Sequence, residues 1–211
     1  MQFFKTVSKK RLVMMILGIL IIGIAVSAFR LSEFGVDPFT CMNLGISGYL
    51  HMSFGNWQLI MNAAILIIVF FTVRNCVGLG TFINMVFVGY IADFLCWIIT
   101  ECMQITAGLG FRLMCLCIGM LCASFGAALY MVADLGIAPY DAVAYIIQKV
   151  TKEKISFRIG RILSDVTVML VGIVACLTSG NNVWLIVGLG TILNSLLNGP
   201  LIQFFRNRIS A

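Results

Sequence analysis

The chain repeats itself. A shift of 101 lays Gly18 on Gly119, Glu33 on Asp134, and Gly35-Val36-Asp37-Pro38-Phe39 on Gly136-Ile137-Ala138-Pro139-Tyr140. A shift of 103 lays Ser53-Phe54 on Ser156-Phe157 and Asn62 on Asp165. A shift of 110 matches Val77-Gly78-Leu79-Gly80-Thr81 identically to Val187-Gly188-Leu189-Gly190-Thr191, then Asn84 to Asn194, Gly89 to Gly199 and Phe94 to Phe204. Chance in a leucine-rich chain does not align Gly, Pro, Thr and Asn in this order. The chain is therefore an internal duplication, read as repeat units at 12–103 and 113–205. A basic N-terminus at 1–11 and a short tail at 206–211 flank them.

Each unit reads long helix, short helix, long helix, long helix, and the solvent for these helices is lipid. Hydrophobic residues make up 61% and charged residues 10%, against about 25% charged in soluble domains. A helix needs about 20 apolar residues to span the hydrocarbon. Six runs reach or approach that: Leu12–Phe29, Trp57–Val73, Leu79–Ile99, Leu113–Ala133, Ile159–Leu177 and Val183–Phe205. Pro38–Leu50 and Pro139–Val150 are shorter, roughly 18–20 Å of helix. The expected fold is an all-α, polytopic membrane bundle with pseudo-two-fold symmetry, forming one integral membrane domain.

The net charge of +6 does not indicate a nucleic-acid partner, because the bases sit at the ends of apolar runs. Lys5, Lys9, Lys10 and Arg11 precede the first run, Lys149, Lys152, Lys154, Arg158 and Arg161 cluster in one connection, and Arg206 and Arg208 follow the last. This is the pattern of cytoplasmic segments in a bacterial plasma membrane, with both termini inside. The first run resembles a signal peptide, but its counterpart in the second unit argues that it is retained. Of the eight cysteines, Cys41, Cys96, Cys115, Cys117, Cys122 and Cys176 lie in apolar sequence, and the sole histidine is His51. They read as small buried hydrophobes, and no metal or other cofactor is expected.

If the short helices cross, both units face the same way; if they do not, the second unit is inverted. Base counting does not separate the two. A re-entrant Pro139 helix entering from the surface would leave Lys149–Lys154 near mid-membrane, at a cost of at least about 2.5–3.5 kcal/mol per charge. The sequence Ala142–Ile147 is apolar all round, unlike a surface helix. Both points favour crossing short helices.

Two turns and two lone acids carry the candidate chemistry. Gly35 and Gly136 permit a tight or left-handed backbone, and Pro38 and Pro139 suit a first helical position. Thr40 and Asp141 then fall in the first turn, where they either cap the helix or, with its dipole, meet a solute. Gly78-x-Gly80-Thr81-x-x-Asn84 and Gly188-x-Gly190-Thr191-x-x-Asn194 lead straight into spans, so they are not nucleotide loops. They read as interhelical packing or as solute contacts. Asp165 and Asp93 lie deep in apolar sequence, with Asn62 and Gln203 as neutral repeat partners. Intramembrane acids are site candidates by default, although Arg161 four residues before Asp165 allows a simple ion pair. No catalytic constellation is present, so an enzyme is not expected.

Gly35-Val36-Asp37-Pro38-Phe39-Thr40, Ser53-Phe54-Gly55, Gly78-Leu79-Gly80-Thr81 with Asn84 and Gly89, and Leu135-Gly136-Ile137-Ala138-Pro139-Tyr140-Asp141 resemble the YitT and YczE group of bacterial integral membrane proteins, closer to the YczE branch. The resemblance covers nearly the whole chain. It implies a plasma-membrane protein and supplies no catalytic residues. The functional expectation is a transporter, or a subunit of one, for a small polar solute or cation bound between the repeats. The alternative is a non-transporting membrane partner that stabilises or regulates another protein; a protein partner or a homo-oligomer is the expected assembly.

Overall fold

The computed structural model describes residues 8–104, 108–180 and 182–209. Most of the basic N-terminus, Lys5 included, and the last two residues of the tail lie outside them. Among the described residues there are eight α-helices and no strand. They are α1 Lys9–Ser32, α2 Pro38–Tyr49, α3 Phe54–Thr72, α4 Leu79–Trp97, α5 Leu109–Ala133, α6 Pro139–Val150, α7 Phe157–Thr178 and α8 Leu189–Ile209. Six stretches are long and apolar enough to span a bilayer: α1, α3, α4 continued by a π turn to Cys102, α5, Ile159–Thr178 in α7, and Val183–Ile209. The last is broken by a 3-10 turn at Val183–Leu185, so the helix itself begins only at Leu189, after Gly188.

The core of the bundle is the pair α1 and α5, flanked by α4 and α8 respectively. In lipid, helices associate by close packing rather than by exclusion of water, so small residues at the crossing matter. Gly18 and Gly126 face each other so closely that a methyl on Gly18 would lie 2.9 Å from the Gly126 carbonyl oxygen. The two helices run antiparallel. At one end, Arg11 at the start of α1 donates to the Ala133 carbonyl (2.8 Å) and the Asp134 carboxylate (3.0 Å) at the end of α5. At the other, Arg112 pairs with Glu33. Arg112 is the repeat partner of Arg11, and Asp134 that of Glu33, so the two clasps are one interaction repeated at opposite ends.

The second unit is therefore upside down relative to the first. Consistently, α1 and α4 run parallel: Met15 lies against Gly80 near one end, and Arg30 pairs with Asp93 near the other. Neither short helix crosses, which overturns the expectation drawn from depth. Arg30 in the last turn of α1 and Gly55 in the first turn of α3 both hold Asp93, so α2 returns to the end it came from. Lys149 at the end of α6 likewise donates to the Thr72 carbonyl at the end of α3, beside the start of α7. The depth argument failed on one assumption, that α6 enters the membrane from its N-terminus. The non-helical segment 134–138 makes the descent instead, and α6 climbs back with its lysines at the surface. Its apolar girth is explained by burial: Ala142 and Ala144 are fully enclosed, and α6 packs on both α3 and α7.

The turns before the short helices lock the units together. Gly80 N–H donates to the Leu135 carbonyl (2.8 Å) and Ile137 N–H to the Cys76 carbonyl (3.0 Å). Their repeat equivalents are Gly190 N–H to the Phe34 carbonyl (2.6 Å) and Val36 N–H to the Ile186 carbonyl (3.1 Å). Each unit's Gly-x-x-Pro turn is thus hydrogen-bonded to the other unit's Gly-Leu-Gly-Thr turn. These bonds satisfy backbone groups that lipid would leave bare. Gly35 (φ 100°) and Gly136 (φ 112°) occupy the left-handed region, where side chains are disfavoured.

Candidate functional site

Each short helix and the helix after it form a hairpin, and the N-termini of α2 and α6 meet inside the bundle. Phe39 and Tyr140 stack there with ring centroids 4.3 Å apart. Asp37 caps α2, its carboxylate accepting from Thr40 N–H at 3.0 Å. No side chain caps α6, and its first-turn acid is used otherwise. Asp141 takes Arg161 at 2.5 Å, Arg161 Nε also donates to Asp165 at 3.2 Å, and the Tyr140 hydroxyl donates to the other Asp165 oxygen at 2.5 Å. The Arg161 guanidinium lies over the Tyr140 ring, 4.7 Å from its centre.

Of the residues marked from sequence, this cluster unites Asp141 and Asp165, while Thr40 follows the Phe39 that stacks on Tyr140. Asp93 is elsewhere, clamping Arg30 (2.7 Å) and Gly55 N–H (2.6 Å) where α1, α3 and α4 meet. Thr81 donates to the Ile137 carbonyl at 2.8 Å, and Thr191 donates to the Ile186 carbonyl at 3.3 Å, so both hydroxyls serve the latches. Asn84 and Asn194 are buried on helices that flank opposite members of the α1/α5 pair. Asn62 is buried, and its amide nitrogen, like that of Asn194, has no protein partner. Gly35, Pro38, Gly136 and Pro139 form the turns as expected.

The residue missed in the sequence is Arg161. It reads there as a base of a cytoplasmic connection that allows a simple ion pair with Asp165, and not as a site residue, whereas it sits in the second turn of α7 between two acids. Its spacing to Asp165 and its repeat partner, the neutral Gln58, were the available signals. The repeat also exposes an asymmetry: Tyr140, Asp141, Arg161 and Asp165 correspond to Phe39, Thr40, Gln58 and Asn62. At these four positions the second copy carries charge and the first carries none.

A groove of about 260 Å³ joins the hairpins, walled by Met42, Met61, Tyr140, Val143, Ser164 and Val168. Its lining is apolar apart from a few groups, and Asp165, Asn84 and Asn194 are not among its walls.

Six apolar spans in two inverted units, each with a re-entrant hairpin, define the class: a multi-pass integral membrane protein built on an inverted-topology repeat. The match to "Family of unknown function (DUF6198)" extends over residues 9–207, and the chain belongs to that family. It is 29% identical over 205 residues to an uncharacterized protein of Haemophilus influenzae, covering 97% of this chain and 87% of that one. It is 24% identical over 189 residues to "Uncharacterized protein YyaS" of Bacillus subtilis, covering 90% and 89% respectively. It is 23% identical over 189 residues to "Uncharacterized membrane protein YczE" of Bacillus subtilis, covering 89% and 81%, in keeping with the YczE-like motifs. No solved structure matches.

Proposed function

We propose that the protein is a carrier, or the carrying subunit of one, for a small polar solute or ion bound between the two hairpins. The observation behind this is the meeting of two oppositely directed re-entrant helix N-termini at Phe39 and Tyr140, beside the Asp141–Arg161–Asp165 cluster. Discontinuous helices whose ends face a shared centre at the repeat interface are the recurrent setting of substrate sites in secondary transporters. Ionisable side chains are kept at such depth only at a cost, which argues for a use. With Asp37 nearby, acids outnumber the single guanidinium, so the reading favours a cation or zwitterion. The protein is read as a non-enzyme.

The base-rich end of the bundle carries Lys9, Lys10 and Arg11, Arg74, Lys149 to Lys154, and Arg206 with Arg208. We read this end as cytoplasmic and the membrane as the bacterial plasma membrane. The other end has Arg30 and Arg112, each neutralised by an acid.

Reconstituted protein tested for proton, sodium, potassium and amino-acid flux checks the reading. Asp165→Asn and Arg161→Gln should each abolish a flux seen with the native chain; a flux unchanged by both removes it. The second reading, a non-transporting partner, draws on the use of both motif threonines in packing. A native chain without flux that co-purifies with another membrane protein would favour it.

A further inference from the structure

A second cavity lies at the base-rich end, well away from the cluster. It has a volume of about 720 Å³ and is formed where the end of α3 and the connection after it meet the last turns of α6. Phe70, Phe71 and Tyr145 supply an aromatic wall, and Arg74 and Lys149 supply two cations, with Glu153 at the edge. Arg74 is laid over the Phe70 ring at 4.6 Å. Lys149 spends one ammonium hydrogen on the Thr72 carbonyl, which aims the group into the space between the helices. Phe71 is 81% exposed, so the apolar wall of the cavity is open to its surroundings.

The repeat shows that the cations are not required by the scaffold. The repeat equivalents of these positions lie in the connection before α8 and near the end of α2. There Arg74 is replaced by Trp184 and Lys149 by Gly48. The inverted copy keeps the turn and drops both charges. The pair of bases therefore belongs to this end alone, the end read above as facing the cytoplasmic leaflet, where anionic lipids attract basic groups.

We propose that Arg74 and Lys149, with the Phe70 and Phe71 wall, form a binding site for the phosphate headgroup of an anionic phospholipid. The guanidinium and ammonium take the phosphate oxygens, and the phenylalanines line the path of the glycerol and acyl chains. The cavity sets exposed aromatic surface directly beside two cations, a combination that fits an amphiphile better than a soluble anion.

The test uses the full chain purified in neutral detergent, with thermal stability followed while phosphatidylglycerol, phosphatidylcholine or inorganic phosphate is titrated in. Phosphatidylglycerol should raise the melting temperature saturably, and the other two should not. The Arg74→Gln/Lys149→Gln variant should weaken the phosphatidylglycerol response by roughly tenfold or more in midpoint concentration. Its melting temperature in phosphatidylcholine reports whether it is folded; should it fail there, the single Lys149→Gln variant is read instead, with a smaller shift of the same sign. Arg206→Gln/Arg208→Gln removes equal charge from the same end outside the cavity and should retain the response. Equal loss in both double variants would reduce the effect to diffuse surface charge and overturn the proposal. An equal response to inorganic phosphate would overturn its lipid assignment.

Discussion

Phe39 and Tyr140 are repeat partners that stack on each other, with planes only 12° from parallel. Residues related by a two-fold axis touch only on that axis, so this stack marks the centre about which one unit is turned upside down onto the other. The clasps at the ends of α1 and α5, the reciprocal latches and the two hairpins are all arranged around it.

The clasps predict a rescue. Arg112→Glu removes one clasp and sets like charges at Glu33, and Glu33→Arg in the same chain restores the pair with its sign reversed. Both partners are about a third exposed, so the single change should cost only about 0.5–1 kcal/mol. The double variant should recover most of that in detergent thermal melts.

The latch turns predict a far larger effect. A methyl on Gly136 would lie 2.6 Å from Gly78 N, at a backbone angle disfavoured for any side chain. Gly136→Ala should cost about 3 kcal/mol or more and lower the yield of folded protein. Gly180 also has positive φ but has open space around it, so Gly180→Ala should cost about 1 kcal/mol. Thr81→Val should cost about 1–3 kcal/mol by stranding the Ile137 carbonyl, whereas Thr81→Ser should not.

The charge cluster predicts that stability and function separate. Arg161→Gln leaves Asp141 and Asp165 sharing no cation and should destabilise by about 2 kcal/mol, less than a fully buried pair because the groups are partly exposed. Adding Asp141→Thr and Asp165→Asn reproduces the neutral set of the first unit, a set this scaffold already tolerates. That triple variant should regain the native melting temperature and remain devoid of flux in proteoliposomes.

The duplication, the eight helices and their approximate ends were legible in the sequence because apolar period and Gly-Pro punctuation are local signals. The inversion was not. Hydropathy is unchanged when a unit is turned over, and the bases near Lys149 reach the surface whether α6 crosses or returns. What decides it is contact between residues far apart in the chain, such as Arg11 with Asp134. At the site, Asp165 and Asp141 stood out as acids in apolar sequence. Arg161 was hidden by its company, a run of bases in and around a loop, whereas it sits a turn inside α7 between two acids.

The inverted arrangement is tested most directly by cysteine accessibility. In a background without native cysteines, Asn75→Cys, Lys154→Cys and His51→Cys are each exposed to an impermeant maleimide in sealed vesicles of known orientation. Re-entrant hairpins predict that Asn75→Cys and Lys154→Cys react from one side and His51→Cys from the other. If His51→Cys reacts together with Lys154→Cys while Asn75→Cys reacts from the opposite face, the short helices cross, and the inverted fold and the site built on it are wrong.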